Sequence, residues 1–232
     1  MLKWSISVAS IKNKYRKRWF AYFDLLGFSE LVRNNPISKV LQVYEMVLKS
    51  VQQEHPDDET VGISQTWFSD TFILYTRGSS EHEFAKIEMA SRLFFQRLIL
   101  KEIPVRGALT VGPVYTNRSK NTYVGKGLID AYEYGEDQNW LGFILTPSVF
   151  KHLSGSTIPI NQRAFYRKID ASVLKKKSSS NVYAFTFDNG RINGKNPFLN
   201  HLNNMKIEVD DKIKIKYENT ENFIEKHMRQ RT

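Results

Sequence analysis

The sequence contains no cysteine. Disulfide bridges, thiolate zinc sites and cysteine nucleophiles are therefore excluded, and any metal must be held by oxygen or imidazole ligands. No stretch approaches the roughly 20 apolar residues that span a bilayer, and no apolar run of signal-peptide length follows the first basic residues. These absences predict a soluble cytoplasmic protein with no membrane span.

Acidic residues are the minority charge, with 24 against 34 basic residues and a formal net charge of +10. Such an excess suits a polyanionic partner, which could be a nucleic acid, an anionic membrane surface or a nucleoside triphosphate. Basic residues concentrate at 12–18, before the first predicted strand, and at 175–177, before a serine run. We interpret both clusters as solvated charge, because no helix-turn-helix, zinc-finger or aromatic RNA-binding pattern accompanies them. No nucleic-acid partner is therefore expected.

The length of 232 residues, 41% of them hydrophobic, allows a full core and predicts one domain. We place this domain at residues 1–196. A C-terminal extension follows at 197–232, with a role in packing or in dimerisation.

The apolar pattern predicts the element order βαββαβ with additions. Strands are expected at residues 19–26, in a hairpin at 60–76 that turns at Ser69-Asp70, in a hairpin at 105–115 punctuated by Gly112-Pro113, and at 143–145, 165–169 and 182–187. Helices are expected at 29–53 with a bend near Pro36, at 81–101, 127–134 and 147–153, and in a charged stretch that ends at His227 after a mixed segment at 207–217. This order favours a mainly antiparallel sheet with helices packed on one face, an α+β fold.

Two aspartates interrupt apolar runs near the ends of predicted strands. Asp24 ends the run WFAYFDLL, and Asp70 lies at the hairpin tip within TVGISQTWFSDTFILYT. A buried carboxylate is costly unless it is paired or bound to a metal ion. If the two strands are neighbours, both carboxylates can enter one site and bind Mg²⁺ or Mn²⁺ together with substrate phosphates. The alternative is that each aspartate caps a turn or a helix.

The turn after Asp24 directly precedes the long predicted helix. It contains Gly27, Phe28 and Ser29, whose backbone N–H groups could hold a triphosphate together with the helix N-terminus. Ser29 is also a suitable N-cap residue. One turn can serve both purposes.

These motifs resemble those of class III nucleotidyl cyclases. FDLLGFSELV resembles the first metal motif of adenylyl and guanylyl cyclases, FSDTFILY resembles the second, and RGALTVGPVY resembles the strand pair that follows. Within the superfamily the closest resemblance is to the pyrimidine cyclases of bacterial Pycsar anti-phage systems, through RGALTVGPVY, YVGKGLIDAYEYGE and IKIKYENTENFIEKH. It covers nearly the whole chain.

The resemblance implies a ferredoxin-like, palm-like cyclase sheet that binds two Mn²⁺ or Mg²⁺ ions. Asp24 and Asp70 would be catalytic metal ligands, with the carbonyl of Leu25 as an extra ligand. One ion would activate the ribose 3′-hydroxyl for in-line attack on the α-phosphorus, and the other would hold the triphosphate and its pyrophosphate leaving group. Family members act as dimers with sites between protomers, so a homodimer is implied.

Three positions depart from the adenylyl and guanylyl cyclase pattern. The helix corresponding to GLIDAYEYGE carries Ile129 and Glu133 where those enzymes have an asparagine and, four residues later, an arginine. Thr66 stands four residues before the second metal aspartate, where a lysine usually recognises adenine. These departures argue against a conventional adenylyl cyclase.

Four residues have two possible roles each. Arg106 and Lys126 are candidates for stabilising phosphates, Arg106 in a catalytic role, although each could be an ordinary surface charge. Thr66 and Trp67 could border the base. A large aromatic side chain would shrink the base pocket and favour one ring over two, but an aromatic residue in a strand often belongs to the core.

The leading hypothesis is a phosphorus–oxygen lyase, a uridylate or cytidylate cyclase that makes an anti-phage second messenger. A second is a cyclase that makes cyclic AMP or cyclic GMP. A third is a cyclase-homology module that binds a nucleotide or a protein partner without catalysis, because the asparagine and arginine are missing. A fourth is a nucleic-acid-binding protein, motivated by the net charge of +10.

Overall fold

The computed structural model describes residues 15–54, 62–187, 196–207 and 209–227, so Lys12 and Lys14 of the first basic cluster lie outside the described residues. The strands are β1 (Tyr15–Leu25), β2 (Ile63–Phe68), β3 (Thr71–Thr76), β4 (Val105–Asn117), β5 (Thr122–Val124), β6 (Phe143–Leu145), β7 (Tyr166–Lys168) and β8 (Tyr183–Phe185). The α-helices are α1 (Phe28–Asn34), α2 (Ile37–Glu54), α3 (Glu81–Leu100), α4 (Lys126–Asp137), α5 (Pro147–His152), α6 (Pro197–Lys206) and α7 (Asp211–His227). None of these helices is long and apolar enough to cross a membrane.

The sheet is built around β1. Its strand order is β2-β3-β1-β4-β6-β8-β7, with β5 paired to β4. The pairs are antiparallel except that of β4 with β6, which is parallel. The elements from β1 to β4 follow the predicted order βαββαβ, and the α+β fold is confirmed.

Side chains of β1 alternate between the two faces of the sheet. Trp19 and Phe23 join the main core with the apolar faces of α2 and α3. Phe20 and Tyr22 lie on the opposite face, against α4. The two long helices thus share one face, as expected, whereas the shorter α4 covers the other. By the same alternation Asp24 lies on the α4 face.

The predicted hairpin at residues 105–115 is wrong, because β4 is one continuous strand of 13 residues. Gly112 does not turn the chain; it lets α4 come close, since a Cβ there would lie 2.9 Å from the Cα of Gly127. The N–H of Val111 points away from β1, toward a serine hydroxyl of α5 at 3.1 Å. The ring nitrogen of Pro113 points the same way, so this proline removes no hydrogen bond between β1 and β4.

Two helix boundaries follow from local sequence. Pro36 separates α1 from α2, as predicted, because the residue before a proline is forced toward an extended conformation, and Asn35 has φ −132° and ψ 153°. Helix α3 begins with a capping box. The Ser80 hydroxyl accepts from the Glu83 N–H, and the Glu83 carboxylate accepts from the Ser80 N–H.

The last two helices pack on the main core. Phe198 and Leu202 of α6 are completely buried there. The segment at 207–217, interpreted as mixed, enters α7 at Asp211, and the charged helix to His227 is confirmed. The alternation IKIK resembles a strand, but the contacts of α7 with the core favour a helix.

The two basic clusters make specific contacts. Arg18 lies within β1, is buried, and donates from Nη1 to the Thr76 carbonyl at 3.2 Å, so the expectation of solvated charge is wrong for this residue. The lysine loop after β7 wraps around the end of α4. Backbone N–H groups of Lys176 and Lys177 donate to the Asp137 carboxylate at 2.6–3.1 Å.

Candidate active site

Asp24 is the penultimate residue of β1. Its Cα pairs with Thr71 of β3 and with Arg106 of β4, so the carboxylate stands between two neighbouring strands. Its side chain is 14% exposed. A carboxylate buried to this degree requires a cation or hydrogen-bond donors nearby.

The β2–β3 turn brings Asp70 to the same end of the sheet. Ser69 supplies the left-handed residue of this turn, with φ 54°. The Asp70 carbonyl accepts a 3.0 Å hydrogen bond from the Leu25 N–H, which ties the turn to the end of β1. Asp70 therefore lies beside the end of β1, where its charge acts on Asp24.

Arg106 is the cation that contacts Asp24. Its Nε and Nη2 donate to the same Asp24 oxygen, Oδ2, at 2.9 and 2.8 Å, and Nη2 also lies 2.6 Å from Glu136 Oε2. Nη1 donates to the carbonyl of Glu136 at 3.0 Å and lies 3.5 Å from that of Gln138. Because these donors are engaged within the chain, Arg106 orients Asp24. The prediction that Arg106 stabilises phosphates directly is not supported.

Burial and the Arg106 charge shift the pKa of Asp24 in opposite directions. Burial raises the pKa of Asp24 to about 6, the Arg106 charge lowers it, and the charges of Glu136 and Asp70 raise it. Burial, followed by the charges of Asp24 and Glu136, also raises the pKa of Tyr22 well above its ordinary value. Asp24 therefore loses its proton only at about pH 6, even with Arg106 beside it, and a bound metal ion would favour the ionised carboxylate further.

Sequence reasoning missed Glu136 and Tyr22. The Tyr22 hydroxyl donates to Glu136 Oε1 at 3.1 Å, so Glu136 connects α4 to both β1 and β4. Tyr22 could have been found, because it lies two residues before Asp24 on the same strand face. No sequence pattern around Glu136 indicates its role, because only the packing of α4 on the sheet brings it to Arg106.

The turn after β1 begins helix α1 at Gly27, which has φ 74°, a conformation that glycine adopts most readily. Gly27 is the N-cap, so the interpretation of Ser29 as the N-cap is wrong. The Phe28 ring packs toward Tyr44, with centroids 6.0 Å apart. A ligand at this turn could accept hydrogen bonds from the backbone N–H groups of the first helical turn.

Thr66 and Trp67 lie on opposite faces of β2. Thr66 pairs with Ile73, which packs on the α4 side, so Thr66 shares the face of Asp24. Trp67 pairs with Phe72, a member of the helix-side core. Trp67 therefore lies on the face opposite Asp24, and its predicted place at the base requires a base bound on the helix side of the sheet.

Lys126 lies at the other end of α4 from Glu136. The two residues are about 15 Å apart along the helix axis, so the chain does not bring Lys126 to the paired aspartates. Ile129 is 53% exposed, and Glu133 forms an ion pair with a lysine of the loop after β7.

The paired aspartates fit a hard divalent cation. Within the described part of the chain, no group of three histidine or acidic side chains is placed to hold a metal. Two carboxylates, completed by backbone carbonyl, water and phosphate oxygens, match the ligands that Mg²⁺ takes at phosphate-transfer sites. Asp24, Asp70 and the carbonyl of Leu25 would hold such ions.

No protein-family model and no curated protein matches this chain. Solved structures match by fold. The catalytic core of a rhodopsin–guanylyl cyclase with converted specificity, in complex with ATPαS, has a TM-score of 0.56 and 12% identity, covering 74% of this chain and 96% of that one. The guanylate cyclase domain of RhGC from Catenaria anguillulae, in complex with GTP, has a TM-score of 0.55 and 12% identity with the same coverage.

A bacterial light-regulated adenylyl cyclase has a TM-score of 0.54 and 14% identity, covering 90% of this chain and 58% of that one. The chain therefore has the fold of adenylyl and guanylyl cyclase catalytic domains.

Proposed function

We propose that this protein is a nucleotidyl cyclase, which converts a nucleoside triphosphate into a 3′,5′-cyclic monophosphate and pyrophosphate. One observation carries the proposal: Asp24 and Asp70 meet at one end of a cyclase-fold sheet. Fold alone does not define an activity. The paired carboxylates would supply the chemistry, because carboxylate oxygens are ligands of the divalent cations used in phosphate transfer.

Some residues of the site would bind the metal ions and the phosphates, and Arg106 orients Asp24. Two Mn²⁺ or Mg²⁺ ions, when bound, would supply Lewis-acid activation of the 3′-hydroxyl and neutralise the triphosphate. Asp24, Asp70 and the Leu25 carbonyl would hold them. Arg106 keeps the Asp24 carboxylate in place. The N–H groups after Gly27 would donate to phosphate oxygens.

A direct assay tests the proposal. Purified protein with Mn²⁺ receives UTP, CTP, ATP or GTP, and products are identified by mass. We expect a cyclic monophosphate and pyrophosphate from at least one triphosphate. Asp70→Asn should abolish this product, whereas Asp211→Asn, which alters a carboxylate whose side chain is 98% exposed, should not. A linear monophosphate as sole product, or no turnover, would contradict the proposal.

The preferred substrate in this proposal is a pyrimidine triphosphate, UTP or CTP. Its support is Thr66, which lies on the Asp24 face where a lysine would read adenine in adenylyl cyclases. The alternative is an adenylate or guanylate cyclase, favoured by the solved structures, whose bound nucleotides are GTP and an ATP analogue. A nucleotide-binding module without catalysis is the further alternative, motivated by Ile129 and Glu133 on α4.

We also propose a cytoplasmic homodimer with sites between protomers, acting in anti-phage signalling. The signalling role rests on the sequence resemblance alone. The shared site has structural support, because Lys126 and the exposed Ile129 lie too far along α4 to meet Asp24 of the same chain. A partner subunit could bring the corresponding α4 face to the aspartates.

A further inference from the structure

The contacts of the Arg106 guanidinium match the N–H donors that an arginine carries. Nε and Nη2 donate to Asp24 Oδ2 at 2.9 and 2.8 Å, and Nη2 also lies 2.6 Å from Glu136 Oε2. Nη1 points to the carbonyls of Glu136 and Gln138, at 3.0 and 3.5 Å. Because each of its nitrogens has an acceptor, the guanidinium is held in one orientation.

Both donors that reach Asp24 meet the same oxygen. An arginine that faces one carboxylate often forms a fork, in which two N–H groups take different oxygens. Here Oδ2 receives both, and no hydrogen bond to Oδ1 is found among the residues that the structure describes. Oδ1 is therefore the Asp24 oxygen that is left for a metal ion.

The Glu136 carboxylate connects this arginine to β1. Its Oε2 contacts Arg106 of β4, and its Oε1 accepts from the Tyr22 hydroxyl of β1 at 3.1 Å. The Tyr22 ring is itself fixed, because it packs so closely on Gly135 that a Cβ there would lie 2.5 Å from its Cδ1. Tyr22 thus fixes Glu136, and Glu136 fixes the guanidinium.

We propose that Glu136 is a positioning residue of the metal site, whose carboxylate keeps Arg106 on Asp24 Oδ2 so that Oδ1 stays open to a divalent cation. The inference rests on the proposed function, because it concerns the same metal ligand. Without Glu136, Nη2 can turn toward Oδ1 and cover it. Groups that orient a metal ligand through hydrogen bonds change metal affinity by roughly 10- to 100-fold when they are replaced.

Mn²⁺ titration of the full chain, followed by the EPR signal of free Mn²⁺, tests this role without turnover. Glu136→Gln keeps the backbone carbonyl that accepts from Arg106, but its amide offers one acceptor oxygen where the carboxylate offers two. We expect Mn²⁺ to bind about tenfold more weakly to this variant. Glu88→Gln should keep native affinity. It is the matched control, because Glu88 also contacts an arginine and a tyrosine, at 2.8 and 2.7 Å, but on α3.

Tyr22→Phe separates positioning from charge. It removes the hydroxyl that fixes Glu136 and leaves every charge of the site in place. Positioning predicts weaker Mn²⁺ binding in this variant too, but not in Tyr166→Phe, whose lost hydroxyl donates to Glu88. Thermal unfolding without metal confirms that folded proteins are compared. Native Mn²⁺ affinity in Glu136→Gln, or in Tyr22→Phe, would overturn the inference, the second because Glu136 would then act by charge alone.

The outcomes distinguish this inference from the proposed function. A protein whose Mn²⁺ affinity depends on Glu136 and Tyr22 but which forms no cyclic nucleotide would keep the positioned metal site and reject the cyclase. If the native protein is a cyclase, Glu136→Gln should need about tenfold more Mn²⁺ for its half-maximal rate, with kcat restored at saturating Mn²⁺. An unchanged Mn²⁺ requirement would reject the role of Glu136 alone.

Discussion

Asp24 is buried, yet its proposed role as a metal ligand requires an ionised carboxylate. Burial raises its pKa to about 6, and the Arg106 charge prevents a larger shift. In the folded, cation-free protein the proton is held up to that pH, whereas in the unfolded chain it is lost near pH 4. The folded state therefore binds more protons between these values, and stability falls as pH rises through this window.

Asp24→Asn should consequently stabilise the metal-free protein at pH 8 by about 1–3 kcal/mol, while abolishing turnover. The gain should disappear below about pH 4, where both states of the native protein are protonated. Mn²⁺ should raise the Tm of the native protein above pH 6 and leave that of the variant unchanged. Denaturant unfolding at pH 4, 6 and 8 measures the first effect. Equal stabilisation of both proteins by Mn²⁺ would remove Asp24 from the metal site.

Base preference depends on which face of β2 each residue occupies. Thr66 faces the Asp24 side, so Thr66→Lys should shift preference toward ATP by about tenfold or more, at about 1.4 kcal/mol per factor of ten. Trp67→Ala should leave the preference unchanged, because Trp67 pairs with Phe72 on the helix side. Competition among equimolar UTP, CTP, ATP and GTP measures both. A relaxed preference in Trp67→Ala would place the base on the other face.

At the scale of elements, the contact between β4 and α4 positions the site. Gly112 and Gly127 let strand and helix approach until their backbones touch. Glu136 reaches Arg106 and Tyr22 only because α4 lies this close to the sheet. The strand–helix spacing is therefore a condition for orienting Asp24.

Gly112→Val should push α4 away from β4, because the new Cβ would lie 2.9 Å from Gly127 Cα. We expect a loss of about 1–3 kcal/mol in the free energy of unfolding, typical of overpacking, together with weaker Mn²⁺ binding. Gly155→Ala is the control, since no atom lies within 4 Å of a Cβ built there. Urea unfolding of both variants measures the change in the free energy of unfolding. Equal stability of the two would mean that α4 tolerates displacement.

At the scale of the whole molecule, apolar side chains remain exposed around the Asp24 face. Phe68 is 81% exposed, and Tyr132 of α4, whose ring meets that of Tyr22 edge to face, is 51% exposed. Phe68 pairs with Thr71, so it shares the face of Asp24. Exposed apolar side chains of this kind often mark protein–protein interfaces, which supports the proposed dimer.

If the site is shared, activity per subunit should fall on dilution, and light scattering should show the dimer dissociating over the same concentrations. Ile129→Asp, which places a charge on the exposed side of α4, should lower activity and yield monomers. Ile37→Asp is the matched control, because Ile37 is 67% exposed on α2, on the other side of the sheet. A fully active monomer would contradict the shared-site proposal.

Local patterns predicted most of the elements. Periodicity and turn chemistry placed the break at Pro36, the hairpin turn at Ser69-Asp70 and the start of α3. The prediction failed at Gly112-Pro113, since a glycine can mark a close approach as well as a turn. A glycine in a turn and a glycine at a close approach of two backbones cannot be told apart from a single sequence.

Local sequence patterns were enough to predict the α+β order and the position of Asp24 and Asp70 at strand ends, because both depend on residues near one another in the chain. Long-range packing was needed to place Arg106 against Asp24 and Glu136, to turn Trp67 toward the helix side of the sheet, and to anchor α7 to the segment after α4. These features depend on strand register and on contacts between distant segments. A shift of one residue in register reverses a side chain's face, so local pattern cannot settle them.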